Sequence, residues 1–341
     1  MKLTVKEIRT TLTGIAGEYV SDADDVAVLV DSLLTAQCWG IYSHGLERFP
    51  VYMKRLREGL VNASPAIRVE KRLPAVLRID GDNGLGSVVM QTAMRESMAA
   101  ADICGVCVAA VRRSNHFSAA GYYVNQLADR GYIALLCTVG PPNMPPYGGM
   151  EAYFSTNPIA IGLPCAEKPN LVVDMATSVA AKGKIRAAAR RGEPIPEGWA
   201  IDKDGNPTTD AQKAIEGLVI PMAGHKGSGL ALAVEHLAGV ATGSAFGRNV
   251  VMQYGDDPRP ADVGHMLITI KVGALMEPEE YARRTQKLCD ELRRIRPAPG
   301  FERVILPGEP EYLRKMAAER DGLEVDDDLW QKILASDVRK A

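Results

Sequence analysis

The chain has 341 residues, 46 % hydrophobic and 24 % charged, with a formal net charge of −2. Its length exceeds one typical domain and predicts two, while its charge balance gives no electrostatic reason to bind nucleic acid or an anionic membrane. The apolar runs are short and broken by Gly, Pro or charge, and MKLTVKEIRTTL at the start holds no apolar signal core, so a cytoplasmic protein without a transmembrane helix is expected.

The first sixty residues read as helices. Thr4-Val5-Lys6-Glu7 is a capping box opening KEIRTTLTGIAGEY, and DADDVAVLVDSLLTAQCWG begins with acids and spaces its apolar residues helically. Leu46, Phe49, Met53, Leu56 and Leu60 share a third helical face, where Pro50 predicts a kink or a restart. From residue 75 the pattern changes to a strand (AVLRID), a turn (GDNGLGS), a helix (VVMQTAMRESMAAADIC) and a strand (GVCVAAVRRS). A helix (YYVNQLADRG), a strand (YIALLCTV), a Pro/Gly loop (GPPNMPPYGG) and two short strands (NPIAIGLP, NLVVDMAT) follow. VAAKGKIRAAARRG reads as a helix, DKDGNPTTD as a surface loop, and GHKGSGLALAVEHLAGVATG as a glycine-rich turn entering an apolar helix. VGHMLITIKV is a strand, and EPEEYARRTQKLCDELRRI, PEYLRKMAAERDG and DDDLWQKILA close the chain as helices. The mixture is α/β or α+β, with helices concentrated at both ends.

Cys104 and Cys107 form a CxxC in what reads as a buried strand, with no second CxxC and no nearby His pair; structural thiols in a reduced compartment are expected. The five histidines include no HxH or HExxH, so no metal site is expected. No G-x-S-x-G or P-loop is present. A Rossmann turn wants G-x-G-x-x-G; GDNGLGSVV has Gly84 and Gly86 but Val89 in the third place, and GHKGSG has the spacing reversed. HKGSG at a helix start can still cradle a diphosphate, with Lys226 supplying charge; a glycine-lined helix start with a solvated lysine fits as well.

YSHGLERFPVY, residues 42–52, holds one of the five histidines. Reducing a 2-oxo acid builds negative charge on oxygen, and an imidazolium with a pKa near working pH can deliver the proton. The substrate carboxylate needs a fork of donors, which Arg provides better than Lys. If this segment is helical, His44 and Arg48 at i, i+4 share a face; an exposed surface pair explains the spacing too. RRSNHFSAAGYY places His116 at a strand-to-helix junction, where α/β folds hold ligands, or simply in a polar turn. FSTNPIAIG is a third polar cluster.

In this order YSHGLERFPVY, SNHFSAAGYY, YGGMEAYFSTNPIAIGLP and HKGSGLALAVEHLAGVATGSAFG, with VVDMATS, GWAIDKDGNPTTD and LPGEPE, closely resemble the malate/L-lactate dehydrogenase family of the non-Rossmann type. That family includes ureidoglycolate, sulfolactate and 2,3-diketo-L-gulonate enzymes and the piperideine/pyrroline-2-carboxylate reductases. The resemblance implies a mixed α/β fold. An NAD(P)-binding domain on a largely antiparallel sheet (residues 121–296) would join a helical/mixed substrate and dimerisation domain built from both ends (1–120 and 297–341). It implies NAD or NADP as cofactor, a small 2-oxo or 2-hydroxy carboxylate or a cyclic imino acid as substrate, and a homodimer. Catalytically silent relatives that only bind a carboxylate or a nucleotide are the other class of reading.

By resemblance His44 is the proton donor, Ser43 its hydrogen-bond partner, and Arg48, with Tyr52, the substrate-carboxylate group. His116 matches the base of the ureidoglycolate branch. His116, Phe117, Ser118, Ala119, Ala120, Thr156, Asp174, Met175, Ala176, His225, Lys226, Pro307, Gly308 and Glu309 match cofactor-contacting stretches. The chain departs from the family at Lys182-Gly183-Lys184, where some members carry a relay carboxylate, and at Val139-Gly140, where many carry polar residues.

Overall fold

The computed structural model describes residues 1–254 and 257–337. Strand β1 (Lys2–Leu3) leads into α1 (Val5–Ala16), which opens on the expected capping box: Thr4 accepts the Glu7 N–H and Glu7 accepts the Thr4 N–H. Asp22 caps α2 (Ala23–Cys38) through the N–H groups of Asp24 and Asp25. In α3 (Phe49–Arg57) Pro50 sits in the first turn, where the missing N–H is tolerated, so the proline restarts the helix.

Next come β2 (Arg68–Leu73), β3 (Val76–Asp80), α4 (Gly86–Cys104), β4 (Val106–Ser114), α5 (Ala120–Ala128), β5 (Tyr132–Thr138), β6 (Ile159–Leu163) and β7 (Leu171–Met175). A small lobe holds α6 (Lys182–Arg191), β8 (Ala200–Ile201), β9 (Pro207–Thr208), α7 (Ala211–Glu216) and β10 (Leu218–Val219). DKDGNPTTD, expected as a loop, is thus the tip and second strand of a hairpin, since β9 pairs with β8. Helix α8 (His225–Val234) passes into a π-helical stretch, Glu235–Val240, before β11 (Val263–Lys271). The chain closes with α9 (Pro278–Arg293), α10 (Glu309–Asp321), β12 (Leu323–Glu324), which pairs with β1, and α11 (Asp327–Leu334).

The large sheet runs β2-β3-β4-β11-β5-β6-β7. Only β3 and β4 are parallel; every other neighbouring pair is antiparallel. This is the largely antiparallel, mixed α/β architecture anticipated above. Strand β2 was not foreseen because RVEKRL carries charge at alternate and adjacent positions. It is an edge strand, where exposed charge discourages further pairing.

The sheet draws β2, β3 and β4 from before residue 120 and β5, β6, β7 and β11 from after it. The boundary expected at 120 therefore runs through one hydrogen-bonded sheet. The apolar cores divide differently. One joins Ile8, Leu29, Phe49 and Met53 to Trp330 and Ile333, uniting the chain ends; a second lies between the sheet and α4 and α5. The CxxC is split: Cys104 ends α4 exposed, and Cys107 is buried in β4. Among the described residues no group of His, Cys, Asp or Glu could hold a metal ion, and no helix is long and apolar enough to cross a membrane.

Candidate active site

The opening segment of the site is not an α-helix. Two 3₁₀ turns, Tyr42–His44 and Leu46–Arg48, flank Gly45. A Cβ on Gly45 would lie 2.5 Å from Gln37 Oε1, so only glycine lets this segment dock on α2. The Leu46 N–H donates to that same oxygen at 3.2 Å. The i, i+4 helical pairing expected for His44 and Arg48 is therefore replaced by a glycine-centred double turn. Arg48 folds back, its Nε donating to the Ser43 carbonyl at 2.7 Å. Ser43 Oγ lies 3.0 Å from His44 Nδ1, leaving Nε2 of His44 for chemistry.

His116 arrives from the end of β4. Arg113 and Ser118, on either side, have φ of 50° and 72°, a left-handed conformation held by surrounding contacts. Ser118 Oγ donates to the His44 carbonyl at 2.8 Å, tying the two histidine segments together. The rings of His44 and His116 lie 5.3 Å apart between centroids, tilted by 31°. Tyr52, expected at the substrate, is buried, and its phenol lies 2.5 Å from His116 Nδ1. The Ser118 N–H approaches the same nitrogen at 3.3 Å. An amide N–H can only donate, so Nδ1 carries its lone pair, Tyr52 donates too, and the neutral ring bears its proton on Nε2. His116 thus presents an N–H to the cleft.

Both imidazoles are neutral in this setting. Burial, then the Arg48 charge, pushes His44 down to about 3, and the same causes hold His116 well below its ordinary value. The ordinary imidazole pKa expected above does not hold here, because burial penalises the charged ring and the Arg48 charge lies close by. Among the described residues no acid is hydrogen-bonded to Ser43 or His44. A Cβ on Gly183, at the head of α6, would meet Ser43 Cβ at 3.5 Å, so a glycine stands where a relay acid was sought. The neighbouring Lys182 amine, lowered by burial, faces the Gly217 carbonyl at 3.5 Å.

A strip of hydrogen bonds runs from His116 across the sheet edge. At the head of α5, beside Ala119 and Ala120, the Gly121 N–H donates to Asp174 Oδ2 at 2.7 Å. Asp174 is accessible to solvent, yet desolvation by the surrounding protein raises its pKa to about 6. Beyond Met175 and Ala176, Thr177 donates twice to the Thr156 carbonyl, and its own carbonyl accepts from Met222 N–H at 2.9 Å. Met222 leads through Gly224 (φ 62°) into α8, where His225 and Lys226 are exposed. Gly224 puts no capping side chain on the helix, and the Lys226, Gly227 and Ser228 N–H groups bond the Ala223, Met222 and Gly224 carbonyls, so what the helix start offers is the exposed Lys226 amine. A cation at the positive end of a helix suits a diphosphate.

Pro307 reaches the strip, its carbonyl accepting from Val172 N–H at 3.2 Å, while Gly308 (φ 91°) packs on Asn170. Glu309 is turned away into a cluster with Arg293, Arg303 and the Leu306 N–H. The Gly84/Gly86 turn does not join the strip. A Cβ on Gly86 would lie 2.2 Å from the Asn115 carbonyl, so this glycine lets α4 pack under the His116 loop. Phe117 likewise sits in the core, its ring 4.5 Å from the buried His265.

Other site members had no isolated signal. Asn157 (φ 34°) donates to the Ala231 carbonyl and to buried Glu235, at the head of the π-helical stretch, so it anchors the Thr156 loop to α8. Asn157 stood in the quoted STNP motif; Glu235, inside an apolar helix, was detectable only as a lone acid among hydrophobic residues.

The chain is similar to known proteins along nearly its whole length. The malate/L-lactate dehydrogenase family profile matches residues 3–334. The chain is 41 % identical to the L-sulfolactate dehydrogenase of Methanocaldococcus jannaschii over 91 % of this chain and 89 % of that one. Their structures superpose with a TM-score of 0.93, covering 98 % and 96 % of the two chains. It is 35 % identical to the ureidoglycolate dehydrogenase (NAD(+)) of Escherichia coli K12, covering 92 % and 89 %. A Δ1-pyrroline-2-carboxylate/Δ1-piperideine-2-carboxylate reductase of Pseudomonas putida is 32 % identical, covering 95 % and 94 %.

Proposed function

The chain belongs to the malate/L-lactate dehydrogenase family and is an oxidoreductase, and we propose that it interconverts a small 2-oxo acid and its 2-hydroxy acid with NAD or NADP. The observation that carries this reading is the cluster of Ser43, His44, Arg48, Tyr52 and His116, brought together from two segments over 60 residues apart in sequence. The strip from Ala119 through Asp174, Thr156 and Lys226 is the bed for the nicotinamide cofactor, which when bound supplies or accepts the hydride.

This chain's own residues handle the rest. The outer guanidinium nitrogens of Arg48 grip the substrate carboxylate. The Nε2–H of His116 donates to the carbonyl oxygen and polarises it. His44, through Nε2, exchanges the proton with that oxygen, and Ser43 fixes the ring. A carboxylate on Arg48 offsets the Arg48 charge, the lesser of the two causes that lower His44, and so shifts the imidazole toward the protonated form that reduction needs.

The proposed protein is a cytoplasmic homodimer. Leu232, Leu237 and Val240, 59 %, 40 % and 46 % exposed along α8 and its π-helical extension, form the face a second copy would cover. The deciding experiment is oxidation of NADH and of NADPH against a panel of 2-oxo acids and cyclic imines. Turnover of 2-oxo acids supports the reading; turnover of cyclic imines alone moves the same site to C=N reduction. No turnover with any of them, in folded protein that binds cofactor, sinks both.

A further inference from the structure

Tyr254 lies in a loop that no motif marked, 206 residues beyond Arg48 in sequence. Its ring nevertheless stacks on Arg48, with the guanidinium carbon 4.8 Å from the ring centroid. With Nε spent on the Ser43 carbonyl at 2.7 Å, the guanidinium is held in its plane by one contact and on its face by another. A planar fork fixed in both ways points its two outer nitrogens in one direction. A guanidinium held only by Nε would swing about that bond and lose entropy on gripping a carboxylate.

The loop is itself held against α3. Arg55, seven residues after Arg48 and so on the same helical face, is 2 % exposed and donates through Nη2 to the Arg259 carbonyl at 3.2 Å. Val250, Val251, Ala261 and Val263 bury the two ends of the loop in one apolar cluster. Val250 and Val251, just ahead of Tyr254, are thus anchored in the core.

We propose that Tyr254 is a positioning residue for substrate selection: its ring fixes the Arg48 fork, and through it the carboxylate of every 2-oxo acid the enzyme takes. The inference rests on the assignment of Arg48 to the substrate carboxylate. Because Tyr254 acts through a group common to all these substrates, its loss weakens short and long 2-oxo acids alike. A direct contact with the substrate tail would discriminate between them.

The test uses Tyr254→Leu and Tyr254→Phe in the whole protein, with steady-state kinetics on two 2-oxo acids of different length and competitive inhibition by oxamate. A cation–π contact is worth roughly 3- to 30-fold in binding. Tyr254→Leu is expected to raise both KM values and the oxamate Ki by a similar factor in that range, with kcat and the KM for cofactor little changed. Tyr254→Phe, which keeps the ring, is expected to match wild type. An unchanged KM in Tyr254→Leu overturns the inference. So does an equal loss in Tyr254→Phe, which would implicate the phenol, or a loss confined to one substrate length. Arg48→Lys separates the two readings. If it raises the substrate KM while Tyr254→Leu does not, only the Tyr254 inference fails; if it changes nothing, the carboxylate assignment falls and takes this inference with it.

Discussion

His44 and His116 share a cleft, but their Nδ1 atoms are held differently. Ser43 Oγ leaves either direction open for His44, whereas Ser118 N–H and Tyr52 oblige His116 to keep its proton on Nε2. This difference supports the proposal that His44 exchanges the proton and His116 polarises the carbonyl. His44→Ala should lower kcat by about 10²–10⁴-fold while NAD(P)H still binds. His116→Ala is its control: a near-normal His44 variant beside a dead His116 variant would transfer the proton step to His116. Tyr52→Phe removes one donor to His116 Nδ1 and should cost roughly 2- to 12-fold in kcat, the worth of one ordinary hydrogen bond. A Tyr52→Phe enzyme that loses only substrate affinity would return Tyr52 to the carboxylate site first expected for it.

At the scale of elements, helix α8 does two jobs along one axis. Its start presents the exposed Lys226 amine, and its π-helical continuation places Glu235 where Asn157 can reach it. π-Helical stretches arise from one extra residue in a turn and often mark such functional re-aiming. Lys226→Ala should weaken cofactor binding by on the order of 1.5–3 kcal/mol, the value of a charged hydrogen bond. Fluorescence titration with NADH and with NADPH measures it, and an unchanged Kd for both would show that the lysine is solvated and idle.

At the scale of the whole molecule, three buried neutral histidines tie stability to pH. His44 and His265 are pushed down to about 3 and His116 well below its ordinary value, all chiefly by burial. Their folded pKa values lie under the unfolded value near 6.5, so the unfolded chain binds more protons below that pH. The contribution is whole above pH 6.5 and is lost as pH falls toward 3, at up to about 1.4 kcal/mol per pH unit for each group. Asp174 has the opposite sign: raised to about 6, it favours the fold at low pH and loses that contribution as pH rises through 6. Asp25, Glu235 and Asp262, raised by burial, share the sign of Asp174, while the lowered Asp80 and Glu309 side with the histidines. The large histidine shifts predict a urea midpoint that drops from pH 7 to pH 4, and a flat profile would mean the histidines are not neutral in the fold. Light scattering of the wild type and of Leu237→Glu tests the proposed dimer face. A dimer that becomes a monomer supports it, and an unaltered dimer places the interface elsewhere.

Local rules were enough for the helices with caps and acids at their heads, for Pro50 as a restart, and for the strands built from β-branched runs. The motif order alone named the family, because several long matches in one order do not need geometry. The same resemblance singled out Ser43, His44, Arg48 and His116 as candidates, and the fold brings these four together. What tertiary structure decided depends on contacts between distant residues. Whether Gly45 lay in a helix was open until its packing on Gln37 made it a turn, and the hydrogen bond of Tyr52 to His116 exists only in the folded chain. Gly86, already outside a nucleotide fingerprint because Val89 takes the third glycine position, showed its packing role only against the Asn115 carbonyl. The charged edge strand β2 and the ring of Tyr254 carry no local signal. A strand with one neighbour needs no apolar alternation, and a cation–π contact spanning 206 residues exists only once the chain has folded.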